Sequence, residues 1–296
     1  MNNDLAPHLD IALRHAPPGL TATAIPRLDI CVGQGSTDKA PCLYRSMICF
    51  ILQGSKRVAL NDDLLSYDHE KYLISALDLP LIGQILDAEG GKPYVAVSLV
   101  LEPAMLAELA ATMPPMRERE HNSIGIAINQ MNAPLRDTLL RLLSLLDSPD
   151  DIPVLGPMIE RELLYRLLQG PQGQLLRQIA RPDGPLASIR RAVAWIRDHY
   201  NTRLRIEALC DASGMSRASL HRHFLAMTGL SPIQYQKQLR LQEARQLLLD
   251  GKHRASDVAF AVGYESASQF SREYLRQFGA SPARDVRQLR QAIGAL

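Results

Sequence analysis

Apolar residues between positions 28 and 101 come in short runs separated by turn-forming residues. Runs rich in β-branched and aromatic side chains predict strands, and this segment holds six of them: LDICVG, CLYRSMICFILQ, KRVALN, KYLISAL, LPLIGQIL and YVAVSLVLE. Many short strands in one segment predict a small β-barrel or jelly roll, in which closure protects the strand edges. The stretch 43–53 is apolar on both strand faces, so both faces are expected to be covered.

After residue 101 the apolar residues recur every three or four positions, which is the spacing of one helix face. The helical runs are EPAMLAELAATM, APLRDTLLRLLSLLDS and PMIERELLYRLLQG, and a shorter helix is indicated near residues 9–14. The second run carries a leucine stripe with 4-3-4 spacing: Leu135, Leu139, Leu142 and Leu146. The stripe fits either a seam between two copies of the chain or a face that packs on the strands. Two heptads leave both interpretations open.

Two glycine- and proline-rich stretches, GPQG and RPDGP, interrupt the helical part and mark loops. Directly after the second comes SIRRAVAWIRDHY, a helical run whose inward face holds Ile189, Val193 and Ile196. We therefore predict one domain over residues 1–184 and a second over residues 185–296. The first domain is expected to contain its strands over about 28–101 and its helices over about 102–180.

One pattern occurs twice in the second domain. Its copies are GMSRASLHRHFLAMTGLSP and GYESASQFSREYLRQFGASP, which align with Leu220 on Phe270. In each copy a glycine that allows a tight turn precedes a helical run with an apolar i, i+4 pair. Each run ends in Gly-x-Ser-Pro, a signal for a helix C-terminus. A further helical run precedes each glycine, so both copies are predicted to be helix-turn-helix units.

Serine residues predict where the helices of these units begin. Ser216 is the predicted N-cap of the second helix in the first copy. In the second copy, Ser256 and Ser266 are the predicted N-caps of the first and second helix. Ser266 also stands three residues before Gln269, which is the capping-box spacing.

The second helix of each copy leaves a polar face beside its apolar pair. In the first copy this face holds Arg217, Ala218, His221 and Arg222. In the second copy it holds Ala267, Ser268, Gln269, Ser271 and Arg272. Short or polar side chains beside a long cation suit a helix in the DNA major groove, where Arg, Gln and Ser reach base edges. A solvated helix face is the alternative for one copy alone, but the matched spacing of two copies favours groove-reading helices.

Residues 187–288 resemble the DNA-binding domain of the AraC/XylS family of bacterial transcription regulators. The signature G-Y-E-S-x-S-x-F-S-R-x-Y-x-x-x-F-G-x-S-P and the run YQKQLRLQEARQLLL carry the resemblance. It implies two helix-turn-helix units held rigidly on one connecting helix, with recognition helices in successive major grooves of double-stranded promoter DNA. It also implies contact with RNA polymerase. By position, the base-facing residues would be Ala218, His221 and Arg222 and, in the second copy, Ala267, Ser268, Gln269, Ser271 and Arg272.

Residues 28–110 resemble, with less specific motifs, the cupin-like N-terminal domain of one AraC subgroup. The runs ILQGSKRV, YLIS and DLP carry this resemblance. It implies a domain that senses a small organic effector or joins two copies of the chain as a homodimer. Together the two resemblances imply an α+β protein, in which a cupin-like barrel or jelly roll with flanking helices precedes an all-α domain of two helix-turn-helix units.

The stretch 43–53 also supplies candidates for an effector site. The concave mouth of a barrel commonly holds an apolar pocket with a few polar groups. The candidates in this stretch are Tyr44, Arg45, Met47, Cys49 and Gln53. The alternative role for each of them is packing of the domain.

Charge is distributed unevenly between the two predicted domains. Residues 185–296 contain 17 Lys and Arg against 9 Asp and Glu, a net charge of +8, whereas residues 1–184 contain 16 against 22, a net charge of −6. A basic domain beside an acidic one is expected when only the basic domain meets phosphate. Variation of surface charge by chance is the alternative.

No catalytic residue, metal site or cofactor is predicted. Metal-dependent cupin enzymes cluster histidines, whereas His69 is the single histidine between residues 16 and 120 and stands in a predicted loop. One histidine does not supply the three protein ligands of an open metal site. No Ser-His-Asp, Walker or glycine-rich nucleotide motif occurs either. A cupin-type enzyme is the first alternative function.

The cysteines show neither C-x-x-C nor zinc-ligand spacing; they are Cys31, Cys42, Cys49 and Cys210. A cytoplasmic protein with reduced thiols is expected. The N-terminal MNNDLAPHLD is too polar for a signal peptide, and no apolar run approaches the ~20 residues of a membrane helix. A thiol-based redox sensor is the second alternative function, although buried, inert thiols are favoured.

Overall fold

The computed structural model describes residues 5–37, 40–60, 63–86, 91–114, 125–251 and 253–294, without the side chains of 40, 41, 63 and 289–294. The chain divides into two compact units. The first comprises residues 1–39 and 43–187, and the second comprises residues 40–42 and 188–296.

Antiparallel strands form the centre of the first unit. The described strands are β1 (Gly19–Ala22), β2 (Leu28–Gly33), β3 (Ala40–Tyr44), β4 (Met47–Gln53), β5 (Ser55–Leu60), β6 (Asp63–Asp68), β7 (Lys71–Ser75), β8 (Leu79–Leu86), β9 (Tyr94–Val100) and β10 (Ile126–Gln130). They form a larger sheet in the order β1-β2-β9-β4-β7-β10 and a smaller sheet in the order β3-β8-β5-β6. The α+β fold class is confirmed, but the described strands form two open sheets rather than one closed barrel.

Five helices accompany these strands in the described part of the first unit. They are α1 (Ala6–His15), α2 (Pro103–Thr112), α3 (Ala133–Ser144), α4 (Ile152–Gln169) and α5 (Gly173–Ala180). Short 3-10 turns at Leu145–Asp147 and Pro149–Asp151 connect α3 to α4. The first four helices match predicted helical runs, whereas α5 was not predicted because its eight residues offer barely two turns of periodicity.

The run CLYRSMICFILQ was predicted to form one strand, but the structure divides it into two. It separates at Arg45 and Ser46 into β3 of the smaller sheet and β4 of the larger sheet. At this break the Ser46 backbone N–H donates to Oδ1 of Asp78, at 3.2 Å. Every residue from Ile48 to Leu52 is buried, so the expected coverage of both faces is confirmed for β4. Strand β6 of the smaller sheet and helix α1 both contact β4.

The remaining strand predictions agree in position with the structure. Strands β2 and β8 have the predicted bounds, and β5, β7 and β9 differ from theirs by one or two residues at an end. Asn61, the last residue of the predicted run KRVALN, lies outside the described residues. Strands β1, β6 and β10 were not predicted. In β10 the run IAINQ shows no alternation of apolar and polar residues, and Ile126 is its one buried residue.

The leucine stripe, which runs through α3 into the 3-10 turn after it, packs inside its own unit. Its four leucines are between 0% and 6% exposed, and α3 contacts α1 and α4. Burying a leucine side chain contributes about 1.5–3 kcal/mol, which accounts for the stripe without a second chain. The interpretation of this stripe as a seam between two copies is therefore wrong.

Apart from residues 40–42, which belong to β3, the regular structure in the described part of the second unit is helical. Its helices are α6 (Pro185–Asp198), α7 (Ile206–Ser213), α8 (Arg217–Thr228), α9 (Pro232–Leu249), α10 (Ala255–Ala261), α11 (Ala267–Phe278) and α12 (Pro282–Gly294). The predicted inward residues of α6 are buried: Ile189, Val193 and Ile196. Helices α7 and α8 form the first helix-turn-helix unit, and α10 and α11 form the second.

Two of the three predicted N-caps are confirmed. The Ser216 side chain accepts from the Ser219 backbone N–H, and the Ser266 side chain accepts from that of Gln269. The prediction for Ser256 is wrong, because α10 begins two residues earlier than predicted, at Ala255, and Arg254 occupies its N-cap position. The hydrogen bonds of a reciprocal capping box are formed by Ser231 and Gln234, at the start of α9.

Candidate DNA-binding surface

Helix α8 is held by its two ends and by its buried face. Gly214, with φ +68°, makes the turn from α7, and Gly229, with φ +69°, ends α8 in the same left-handed conformation. Leu220 and Phe224 are fully buried, and the Phe224 ring meets the Tyr235 ring edge-on at 5.6 Å. The opposite face of α8 is therefore fixed outward.

Helix α11 repeats this arrangement with a more aromatic buried face. Phe270 and Tyr274 are fully buried and pack edge-to-face with ring centroids 5.4 Å apart. The turn before α11 contains Gly263, with φ +90°. A Cβ atom on Gly263 would lie 2.1 Å from the Asn201 carbonyl oxygen. Glycine is thus required here both for its backbone conformation and for the close approach of the two segments.

Arg240 of α9 fastens the two segments that meet at Gly263. Its Nε donates to the Tyr200 carbonyl oxygen at 2.6 Å, and its Nη2 donates to that of Thr202 at 2.7 Å. Its Nη1 donates to the Gly263 carbonyl oxygen at 2.8 Å. Gln236, one turn earlier, also donates to the Thr202 carbonyl oxygen, at 2.8 Å. The connecting helix therefore binds the turn of the second helix-turn-helix unit to the segment that follows α6.

A carboxylate on the inner side of α11 joins that helix to α9. Glu273 accepts from Lys237 Nζ at 2.9 Å and from the Tyr264 hydroxyl at 2.9 Å. Gln269 Nε2 donates to the same carboxylate at 3.3 Å. Burial alone would raise the pKa of Glu273, but these three hydrogen bonds outweigh it and hold the pKa below its usual value. The ionised carboxylate thus restrains Gln269, a predicted base-reading residue.

A second ion pair joins α9 to α12. Arg245 donates from Nε and Nη2 to the two carboxylate oxygens of Asp285, each at 2.8 Å. The Tyr274 hydroxyl of α11 donates to the same carboxylate at 2.7 Å. Burial, followed by this hydrogen bond, raises the pKa of Tyr274 and keeps its hydroxyl protonated as the donor. Three helices are thereby tied to one carboxylate.

All nine residues predicted to face DNA lie on α8 and α11. Eight are exposed: Arg217, Ala218, His221, Arg222, Ser268, Gln269, Ser271 and Arg272. Ala267 is half-buried and packs against the aromatic core beneath α11. The Ser271 hydroxyl donates to the Ala267 carbonyl oxygen at 2.9 Å. Among the nine predicted residues, Ala267 is therefore the one that packs against the core of its domain.

His223 lies beside one of the exposed arginines and restrains it. Arg222 Nη2 and His223 Nε2 are 3.3 Å apart. Partial burial, and then the charge of Arg222, lower the pKa of His223. The neutral imidazole can accept the hydrogen bond from the guanidinium.

The effector-site candidates do not all converge in the structure. Tyr44 and Cys49 are buried and meet through Tyr67, whose hydroxyl lies 3.1 Å from that of Tyr44 and donates to Cys49 Sγ at 3.6 Å. Lys56 Nζ stands 4.9 Å from the centroid of the Tyr44 ring. Tyr67 and Lys56 could not be identified from the sequence, since the pairing of the strands is needed to bring them to this point.

The other three candidates lie elsewhere. Arg45 is exposed in the break between β3 and β4. Met47 is half-buried at the first residue of β4. Gln53 ends that strand, and its amide donates to the Pro93 carbonyl oxygen at 2.7 Å. This hydrogen bond gives Gln53 a structural role at the end of β4.

Two thiols of the first unit lie in the larger sheet, Cys49 buried and Cys31 half-buried. Burial raises the pKa of Cys49 and of Cys31, and Lys56 offsets this only in part. Because the thiolate is the reactive species, these environments favour inert thiols over a redox sensor.

His69 is exposed in the turn between β6 and β7. Among the described residues, no group of three or more His, Cys, Asp and Glu side chains is placed to hold a metal ion. Within the same ranges, no helix has the length and apolar character needed to cross a membrane.

Family models match both parts of the chain. Residues 24–175 match the model of the AraC-type transcriptional regulator N-terminus, and residues 209–288 match that of a helix-turn-helix domain. The first match alone covers more than half of the sequence. The chain belongs to the AraC-type transcriptional regulators.

Individual relatives agree with this membership. The HTH-type transcriptional activator RhaS of Salmonella typhimurium is 30% identical over 167 residues, which cover 55% of this chain and 58% of RhaS. The matched region thus spans less than two thirds of the length of these curated relatives.

Solved structures show the same fold. A lysine-to-alanine variant of apo ToxT from Vibrio cholerae has a TM-score of 0.58 at 12% identity, covering 91% of this chain and 98% of that chain. Wild-type ToxT bound to an unsaturated fatty acid has a TM-score of 0.54 at 11% identity, covering 87% and 94%. At these identities the similarity concerns the fold alone.

Proposed function

We propose that this chain is a transcription regulator that binds promoter DNA through α8 and α11. The observation that carries the proposal is the equivalence of these helices. Each is capped by serine, ends at a left-handed glycine and exposes an arginine at the same position, Arg222 or Arg272. Arginine in a major groove can donate to both acceptors of guanine. In this proposal residues 185–296 bind DNA and residues 1–184 regulate that binding.

Replacing Arg222 or Arg272 with alanine is expected to weaken binding to a specific duplex by about 1–3 kcal/mol each, if each arginine contacts a guanine. The duplex is obtained by in vitro selection with the wild-type chain, and Kd is measured over a range of salt concentrations. The wild-type log Kd should depend linearly on log salt, because phosphate contacts release counterions. Arg197→Ala, which removes an exposed arginine of α6, is the matched control.

Two results would contradict this proposal. One is a failure to select any preferred sequence with the wild-type chain. The other is an equal loss of affinity for selected and unrelated duplexes in both arginine variants, which would assign the arginines to phosphate rather than to bases.

We further propose that the first unit binds a small organic anion between its two sheets. The support is the polar cluster Tyr44–Tyr67–Cys49 with Lys56 beside it, on a fold shared with a protein that was solved with an unsaturated fatty acid. The Lys56 ammonium would pair with the anion, and the apolar residues of both sheets would surround the rest of the ligand.

An unsaturated fatty acid is therefore expected to stabilise the chain against heat. The gain should be about 2.7 kcal/mol when the free ligand reaches 100 times its Kd. The methyl ester of the same acid and the Lys56→Met variant are the matched controls, since each removes one partner of the ion pair. Equal stabilisation by acid and ester in the wild type would argue against an anion site at Lys56.

A homodimer, contact with RNA polymerase and a cytoplasmic location remain parts of this proposal. Contact with RNA polymerase and a cytoplasmic location follow from the role of a promoter-binding regulator, since such a protein acts where the DNA and the polymerase are. The homodimer is proposed because the resemblance of residues 28–110 implies a domain that senses an effector or joins two copies. Sedimentation of the purified chain and transcription with purified polymerase test the two contacts. A monomer at all concentrations, or no effect on transcription from a bound promoter, would remove the corresponding partner.

A further inference from the structure

Two exposed leucines occupy equivalent positions on the two recognition helices. Leu225 of α8 is 55% exposed and Leu275 of α11 is 49% exposed. Each follows its arginine, Arg222 or Arg272, by three residues, and each carbonyl oxygen accepts from the glycine that ends its helix, at 2.8 Å. Half-exposed leucines are common singly. The recurrence of one at the same position of both copies is what requires an explanation.

Both leucines extend the face that carries the base-reading candidates. Residues at i, i+3, i+4 and i+7 share one side of a helix. In α8 this series runs through Ala218, His221 and Arg222 to Leu225; in α11 it runs through Ser268, Ser271 and Arg272 to Leu275. Seven residues of helix extend about 10 Å along the helix axis, and the major groove, ~12 Å wide, admits an α-helix over such a length. A leucine at this position can therefore stand in the same groove as the arginine before it.

The chemistry of the groove offers one apolar group to such a side chain. In the major groove, the C5 methyl of thymine is the apolar feature that distinguishes one base pair from the others. We propose that Leu225 and Leu275 are specificity-determining residues that each contact a thymine methyl, beside the base pair contacted by Arg222 or Arg272. This inference rests on the proposed function, since it needs α8 and α11 in the groove.

The proposal specifies a feature of the binding site. One helical turn separates each arginine from its leucine and corresponds to about 5 Å. The thymine should therefore lie within about two base pairs of the guanine, given ~3.4 Å per base pair along DNA. Because both helices carry the same arrangement, this guanine–thymine pair of contacts should occur twice in the site.

The test removes one methyl group at a time. Each thymine of the selected duplex is replaced singly by deoxyuridine, which lacks only the C5 methyl, and Kd is measured with the full chain. One replacement in each half of the site should weaken wild-type binding about fourfold, the effect of losing one buried methyl group. Leu225→Ala should lose sensitivity to one of these replacements, and Leu275→Ala should lose sensitivity to the other.

Conservative and distant variants complete the design. Leu225→Met and Leu275→Met keep an apolar side chain and should retain the sensitivity to deoxyuridine. Ile233→Ala removes a 59% exposed apolar residue that lies on α9 instead, and it should bind every duplex as the wild type does. Circular dichroism verifies that each variant is folded.

The outcomes separate this inference from the function beneath it. If the alanine variants remain as sensitive as the wild type to every deoxyuridine, the leucines do not contact thymine, while specific binding of the selected duplex still supports the regulator. If the variants lose affinity equally for selected and unrelated duplexes, the leucines contact the DNA backbone and the inference is wrong. If the wild type selects no sequence, both proposals fall together.

Discussion

Replacing Gly263 with alanine is expected to lower the free energy of unfolding of the second unit by about 3 kcal/mol or more. Gly263 has φ +90°, and a left-handed backbone costs an L-residue about 1–2 kcal/mol. The new Cβ would also lie 2.1 Å from the Asn201 carbonyl oxygen. Forcing an extra group into a packed site costs about 1–3 kcal/mol more.

The clash cannot be relieved by a simple movement of the chain. Arg240 holds the carbonyl groups on both sides of Asn201, those of Tyr200 and Thr202, and it also holds the Gly263 carbonyl. A shift of either segment would therefore lengthen hydrogen bonds from one half-buried guanidinium. Burial lowers the pKa of Arg240 because it removes part of the hydration of the charged form, and the three carbonyl groups take the place of that water.

The first helix-turn-helix unit supplies the matched control. Gly214 is the repeat equivalent of Gly263 and has φ +68°, but a Cβ there would have Arg191 Nη2 as its nearest neighbour, at 3.9 Å. Gly214→Ala should therefore cost only the backbone term of about 1–2 kcal/mol. Urea unfolding followed by circular dichroism and by the fluorescence of Trp195, the single tryptophan of the chain, measures both variants. If both variants lose the same free energy of unfolding, the segment around Asn201 moves away from the new Cβ without cost.

The exposed faces of α8 and α11 could be predicted from the sequence because the helix-turn-helix unit repeats. The two copies share the same spacing of apolar residues, which indicates the buried positions of α8 and α11. The exposed positions then follow from helix periodicity. Strands such as β2 and β8 were predictable for a similar reason, since turn residues bound each apolar run. The break between β3 and β4 was not predictable, because Arg45 and Ser46 carry no glycine or proline signal.

The contacts that hold this surface in place could not be predicted. Arg240, Glu273 and Asp285 look like surface residues in a sequence, because charged side chains are rarely buried unless they are paired. Their partners are distant in the chain: 36 positions separate Lys237 from Glu273, and 40 separate Arg245 from Asp285. A pairing across such a distance is a property of the packed helices and is visible only once α9, α11 and α12 are in place.

Replacing Asp285 with alanine is expected to destabilise the second unit by about 3–5 kcal/mol, because it leaves the buried Arg245 guanidinium without its partner. The side chains of this pair are only 13% and 7% exposed, so water cannot readily replace the lost carboxylate. The Tyr274 hydroxyl loses its acceptor in the same change. Urea unfolding with circular dichroism measures the loss.

Two further variants test whether the unpaired charge is the cause. Tyr274→Phe removes one hydrogen bond to the charged carboxylate and leaves the ion pair intact, so it should cost about 1.5–3 kcal/mol, less than Asp285→Ala. The double variant Arg245→Met with Asp285→Leu removes both charges together, and apolar replacements of a buried pair are often neutral or stabilising. It should therefore recover most of the stability that Asp285→Ala loses, helped by Phe278, whose ring centre lies 4.8 Å from Arg245 Cζ. If the double variant is as unstable as Asp285→Ala, the carboxylate stabilises the unit by fixing the backbone of α12, and the unpaired arginine is not the cause.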